Sequence, residues 1–242
     1  SPQQKESVKI VLREKAITRH APFYFVEDLI SKSSYKFNEK TKRMIVHMES
    51  PIFNRPIETE LQMLGQMQAQ NAAMAALCVK KVLPNLSEEI IEKGLSNAKL
   101  SGRFEIIENI KDYEGINHLI LDGAHTYNSI RLTIDTLNKL FGDSKVNLLF
   151  ACAADKDVKD IAKLFKYRFE HIYVTKPGNK KKADLEAEIQ AFSDAQLSFT
   201  ADSDYKKMIK KAMFESSQNN VNLLITGSFY LLAEVKEILQ KL

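Results

Sequence analysis

With 242 residues, 44% hydrophobic and 27% charged, the chain has globular composition and length for one large domain or one and a half ordinary ones. Its net charge of +4 comes from 35 basic and 31 acidic residues interleaved along the chain, which excludes the basic footprint of a nucleic-acid binder. No apolar run reaches the roughly 18 residues of a membrane span, and the first residues lack a signal peptide's charged-then-apolar pattern, so a cytoplasmic location is expected.

Residues 6–17 carry a weak helical pattern through Val8, Val11, Leu12 and Lys15, and Pro22-Phe23-Tyr24-Phe25-Val26 reads as a strand. Two-residue alternation over 35–61, Met44 to Met48 included, predicts a β-rich excursion. A helix is predicted over 65–82. A second starts at Ser87, whose hydroxyl can cap a first turn carrying Glu88 and Glu89. With no compact unit before residue 22, this part reads as a domain joined midway, and the expected boundary is Ser101-Gly102.

From there the pattern becomes regular. Short apolar runs (104–110, 118–124, 146–154, 171–176, 223–227) alternate with longer stretches of helical period, as βαβ units do. Asn147-Leu148-Leu149-Phe150-Ala151 is too apolar for a sheet with a wet face. The expected fold class is α/β, a mostly parallel sheet with helices on both faces. Ile130, Ile134, Leu137 and Phe141 form one helical stripe, stopped by Gly142. Ile161, Leu164 and Phe165 repeat it after Asp155-Lys156-Asp157, and Leu231, Val235, Ile238 and Leu242 make the last stripe. Lys180, Lys181 and Lys182, following Pro177-Gly178-Asn179, read as a solvated loop tip, with an anionic substrate tail as the other reading. Cys78 and Cys152 lack metal-ligand spacing and are expected as small core hydrophobes in a reducing compartment.

In an open parallel sheet, ligands bind beyond the carboxyl ends of the strands. Asp122-Gly123-Ala124-His125 follows the buried run Leu119-Ile120-Leu121 and so stands at that edge, although an aspartate there can equally cap a turn. Arg103, beside Gly102, can take a phosphate bidentately or tether domains by a salt bridge. Gln70 and Asn71 are amides amid Ala and Met, fit to satisfy backbone or to read a ligand edge. Ser228 ends the run Leu223-Leu224-Ile225 and opens a helix, where backbone N–H groups favour an anion and the hydroxyl can cap. No histidine-bearing motif makes Ser228 a nucleophile.

Taken in order, these groups resemble the folylpolyglutamate synthase/dihydrofolate synthase family of Mur-type ligases. Gln66-Met67-Gln68-Ala69-Gln70-Asn71-Ala72-Ala73 looks like its amide-bearing helix, Leu100-Ser101-Gly102-Arg103-Phe104-Glu105 like its hinge, and Leu121-Asp122-Gly123-Ala124-His125 like its DGAH motif. Ala154-Asp155-Lys156-Asp157, Val174-Thr175-Lys176-Pro177 and Ile225-Thr226-Gly227-Ser228-Phe229-Tyr230 continue the family's order. The resemblance implies part of a central ATPase domain over 1–100 and a Rossmann-like C-terminal domain over 101–242. It also implies ATP- and Mg²⁺-dependent activation of a folate or dihydropteroate carboxylate as an acyl phosphate, which the amine of L-glutamate then attacks. By carry-over, Asn71 would meet adenine, Arg103 the phosphates and Asp122 the ribose hydroxyls, while His125 and Ser228 would hold glutamate. A monomer is expected, with no nucleic-acid or membrane partner.

Two departures accompany the resemblance. Thr126-Tyr127 stands where the family has Asn-Pro, and no G-x-x-x-x-G-K-[ST] loop occurs in these residues. Lys15, in Arg13-Glu14-Lys15-Ala16, reads as a surface helix residue rather than the family's carbamylated lysine. No catalytic residue and no metal ligand is therefore expected in this stretch, both belonging to a preceding segment, and the chain alone is not expected to ligate glutamate. The competing readings are a cell-wall Mur ligase, for which D-Y-A-H would be expected at 122–125, and a non-catalytic binding module of the same fold.

Overall fold

The computed structural model describes residues 6–38 and 40–241, and the chain divides into two compact units, Ser1–Lys99 and Leu100–Leu242. In the first, α1 (Glu6–Thr18) buries none of its residues, and Lys15 is exposed on it. The strand expected at 22–26 is corrected. That segment leads instead into the short helix α2 (Val26–Leu29), because Pro22 has no N–H for a ladder and the Phe23 and Phe25 rings meet edge to face at 4.8 Å. β1 (Lys32–Asn38), β2 (Arg43–Glu49) and β3 (Ile57–Leu61) then form an antiparallel sheet in that order. Met44, Val46 and Met48 alternate into its core as the period-two pattern requires.

α3 (Gln66–Val82) follows Gly65 and buries Ala69, Ala72, Ala73, Ala76 and Leu77. Cys78 is a second correction: it is exposed, since it falls about 100° past Leu77 around the helix and leaves the buried face. α4 (Glu88–Asn97) starts after Ser87, but the Ser87 hydroxyl makes no cap bond. Glu88 turns inward instead and meets Lys80 at 2.8 Å, with both side chains about 5% exposed or less. Lys80 Nζ also donates to the Leu86 carbonyl at 2.8 Å.

The second unit is built from β4 (Glu105–Ile107), β5 (Leu119–Asp122), α5 (Tyr127–Phe141), β6 (Val146–Phe150), α6 (Val158–Lys163), β7 (Ile172–Val174), α7 (Leu185–Asp194), β8 (Phe199–Ala201), α8 (Tyr205–Gln218), β9 (Asn222–Thr226) and α9 (Phe229–Leu239). Its six-stranded sheet has the order β4-β5-β9-β6-β7-β8 and is parallel except for the edge strand β4. β8 was not legible as an apolar run, because Phe199-Thr200-Ala201 is short and half-buried. Leu119, Leu121, Leu149, Leu223 and Ile225 face α8 and α9, which contribute Met208, Ile209, Leu231 and Val235. On the other face Phe150 meets Phe165 and Phe192 at 5.3 and 5.6 Å.

The helical stripes hold with local differences. In α5 the buried set is Ile130, Thr133, Thr136 and Leu137, whereas Ile134 and Phe141 are half-buried. The two threonines sink because their hydroxyls donate to carbonyls one turn back, at 3.0 and 2.8 Å. Gly142 is the C-cap. α6 ends at Lys163, so Leu164 caps it and Phe165 packs just beyond. Leu231 and Val235 are buried in α9, and Leu242 lies outside the described residues.

Candidate functional site

After β5 the chain skips one place to β6, moves outward through β7 and β8, and returns with β9 into the gap. Asp122, Thr226 and Phe150 therefore end level with one another. The loops beyond them form the edge where an open parallel sheet takes ligands. Two of those loops are tied together, since Gly227 N–H donates to the Ala124 carbonyl at 2.9 Å.

Asp122 is the knot of this edge. Its Oδ1 accepts from Ala124 N–H at 2.8 Å and its Oδ2 from Phe104 N–H at 3.1 Å. Burial pushes its carboxyl up to about 6, against the Ala124 N–H and the nearby Arg103 charge, which pull it down. The turn-capping reading of Asp122 is thus realised, with the Thr133 hydroxyl also against the carboxylate, which keeps lone-pair capacity for a further donor.

Arg103 is flanked by two left-handed residues, Gly102 at φ 72° and Phe104 at φ 46°, which turn the chain just before β4. Its guanidinium lies 4.8 Å from the centre of the Phe229 ring. The turn is pinned by Gly123 N–H donating to the Gly102 carbonyl at 2.8 Å and by Gly102 N–H donating to Glu105 at 2.9 Å. Glu105 in turn pairs with Lys236 of α9 at 2.7 Å.

His125 Nδ1 is 2.8 Å from the Gly123 carbonyl, which fixes Nδ1 as the N–H nitrogen and directs Nε2 away as an acceptor in the neutral ring. The imidazole sits edge-on to Phe229 with centroids 6.5 Å apart. The departure Thr126-Tyr127 still starts a helix well: Thr126 and Ser129 form a reciprocal capping box. Ser228 is 6% exposed and caps α9 by accepting from Tyr230 N–H at 3.1 Å. Its hydroxyl hydrogen can still donate outward.

Arg103, Asp122, His125 and Ser228 therefore stand on loops at one sheet edge. Asn71 belongs to the first unit, where it is exposed on α3 and donates to Gln68 at 3.2 Å. Lys180, Lys181 and Lys182 are exposed on the loop between β7 and α7.

Sequence reasoning passed over two neighbours of this edge. Phe229 lies in the stretch Ile225-Thr226-Gly227-Ser228-Phe229-Tyr230, and its signal lies in the two glycines it packs against, Gly102 and Gly123. Glu188 on α7 is 2% exposed, accepts weakly from Cys152 N–H at 3.4 Å and is pushed up to about 8 by burial. Its signal is position, since it shares a helical stripe with the buried Ala191 and Phe192. Among the described residues no group of three or more His, Cys, Asp or Glu side chains could hold a metal ion, and no helix is long and apolar enough to cross a membrane.

A family model described as Mur ligase, glutamate ligase domain, matches residues 102–229. The dihydrofolate synthase/folylpolyglutamate synthase of Bacillus subtilis (strain 168) is 24% identical over 246 residues, covering 98% of this chain and 53% of that protein. A UDP-N-acetylmuramoyl-L-alanyl-D-glutamate--2,6-diaminopimelate ligase of Fusobacterium nucleatum is 27% identical over 184 residues, covering 72% of this chain and 36% of that protein. Among solved structures, Mycobacterium tuberculosis folylpolyglutamate synthase complexed with ADP and AMPPCP superposes with a TM-score of 0.82 at 18% identity, over 98% of this chain and 54% of that one. The chain thus spans about half the length of the Bacillus relative.

Proposed function

We propose, from the premise that this chain belongs to the Mur ligase family through its glutamate ligase domain, that it serves an ATP-dependent ligase joining L-glutamate to a folate or dihydropteroate carboxylate. In this reading residues 1–100 are part of the ATPase domain and 101–242 the domain that brings in the amino acid. What carries the reading is the edge of the second unit, where an arginine, a carboxylate with spare lone pairs, an oriented imidazole and a helix start meet on two hydrogen-bonded loops.

The chemistry of each group suits its role. Arg103 presents a planar donor fork to phosphate oxygens. Asp122, already held by two backbone N–H groups, accepts from ribose hydroxyls, and Asn71 offers an amide to the adenine edge. His125 Nε2 accepts from the amine of glutamate, and Ser228 with the N–H groups opening α9 receives a glutamate carboxylate. Activating the acceptor carboxylate as an acyl phosphate gives that amine a carbonyl carbon to attack, with phosphate leaving. Mg²⁺ would neutralise the transferring phosphoryl group. The described residues of this chain show no cluster fitted to hold it.

The test is a substrate panel on the gene product. ADP release that requires both L-glutamate and dihydropteroate or a reduced folate supports the reading, and turnover of a UDP-muramyl peptide with none on folates overturns it. Within the site, Arg103→Ala and Asp122→Ala should weaken ATP binding, while His125→Ala and Ser228→Ala should weaken glutamate and spare ATP.

A further inference from the structure

We propose that Phe229 is a positioning residue whose ring holds the Arg103 guanidinium on one side and walls the His125 imidazole on another, so that the phosphate-facing and amino-acid-facing groups keep one spacing. This rests on the reading of Arg103 as the group that meets phosphate.

The ring is not placed for burial. Phe229 is 38% exposed, although it opens a helix whose next apolar residues, Leu231, Leu232 and Val235, are 0 to 3% exposed. Those residues anchor α9, and Lys236 further along ties it to Ser101 and Glu105, so the helix start is a fixed platform. The backbone is cut away to receive the ring. A Cβ on Gly123 would come within 2.3 Å of Phe229 Cζ, and one on left-handed Gly102 would meet Leu232 Cδ1 at 2.8 Å and then the ring's Cε1 at 3.2 Å. Gly102 precedes Arg103 and Gly123 follows Asp122, so the same ring rests on the turn that throws out the arginine and on the end of the strand that carries the carboxylate.

Stacking matters because an arginine has many rotamers, and a free one must give them up when it meets an anion. A guanidinium already lying over an aromatic face has lost part of that freedom in advance. The imidazole, 6.5 Å from the same ring and locked to the Gly123 carbonyl, is fixed by the same platform.

The experiment compares Phe229→Leu, Phe229→Tyr and Arg103→Ala in the full-length gene product by ATP titration and thermal melting, and follows the proton shifts of the Arg103 side chain. In the wild type the Arg103 side-chain protons should be displaced upfield by the ring. Phe229→Leu should abolish that displacement and raise the Kd for ATP roughly fivefold with little change in melting, and Phe229→Tyr should restore both. Arg103 shifts unchanged in Phe229→Leu overturn the proposal. ATP affinity kept by Phe229→Leu but lost by Arg103→Ala overturns it too. If the wild type takes no ATP, the phosphate reading of Arg103 fails, and the proton shifts alone still decide whether Phe229 places the arginine.

Discussion

Asp122 and Phe104 stand 18 residues apart in sequence, yet the carboxylate of one accepts the backbone N–H of the other at 3.1 Å. That bond holds Phe104 in its left-handed conformation and ties the turn carrying Arg103 to the end of β5. The carboxylate at the sheet's binding edge is therefore also a structural group, and its protonation should register in stability.

The sign follows from the raised carboxyl of Asp122, at about 6 in the folded chain against an ordinary value of 3.8. A carboxyl raised by folding contributes stability that is fully present below the ordinary value and lost as pH rises through the folded one. Asp122→Asn has a constant cost, because its amide must turn a donor toward one of two backbone donors. Between about pH 4 and 7 the wild type should lose up to about a hundredfold in folding constant relative to that variant. Urea denaturation at a series of pH values measures the gap, and a gap that does not vary with pH refutes the shift.

Lys80 and Glu88 make the opposite case. The hydrogen bond from Lys80 holds the Glu88 carboxyl down to about 2. Stability from this pair is present above the ordinary value of 4.5 and lost as pH falls toward 2. Lys80→Ala leaves a buried charge unpaired and should cost about 3 kcal/mol, while Lys80→Met with Glu88→Leu should cost much less. Hydrogen exchange of peptides from α3 and α4 checks this, the single variant exchanging faster than the double.

How much of this was legible depends on what each residue's position advertises. β5, β6 and β9 were readable because strands buried on both faces must be apolar throughout, and the residues just past them, Asp122 and Ser228, inherit the binding edge from topology alone. The Lys80 and Glu88 pair was not, because an ion pair between two helices leaves no periodicity in either one. Residues 22–26 misled because aromatic, β-branched composition states what a segment could pair with and not whether a partner strand is there. Phe229 escaped notice because its role is set by two residues far away in sequence, Gly102 and Gly123.

Glu188 gives a third pH dependence. Its Oε2 is buried and finds no hydrogen-bond partner among the described residues, and burial raises its carboxyl to about 8. The neutral form is the one the core accepts, so wild-type stability should fall as pH rises from the ordinary 4.5 to about 8 and level off above it, and Glu188→Gln should remove that fall. Thermal melting from pH 4 to 9 measures it. The same burial pushes the Cys152 thiol upward, so a thiol reagent should label exposed Cys78 at once and Cys152 only on unfolding.

Gly123→Ala tests the seat beneath Phe229 from the backbone side. The added Cβ would stand 2.3 Å from Cζ and 2.4 Å from Cε1 of the ring, inside contact distance, so the ring or the strand end must yield. Moving the strand end would stretch the Gly102–Gly123 and Phe104–Asp122 bonds, whereas the exposed Phe229 ring can turn outward about its own side-chain bonds while the helix start stays fixed. The ring should therefore move, at a cost of about 1–3 kcal/mol typical of overpacking. The displacement carries it away from Arg103, and the arginine's proton shifts should relax toward those of Phe229→Leu. Pairing Gly123→Ala with Phe229→Leu removes the clash, so the double variant should melt above Gly123→Ala alone. Arginine shifts left at their wild-type values in Gly123→Ala would mean that the strand end, and not the ring, had given way.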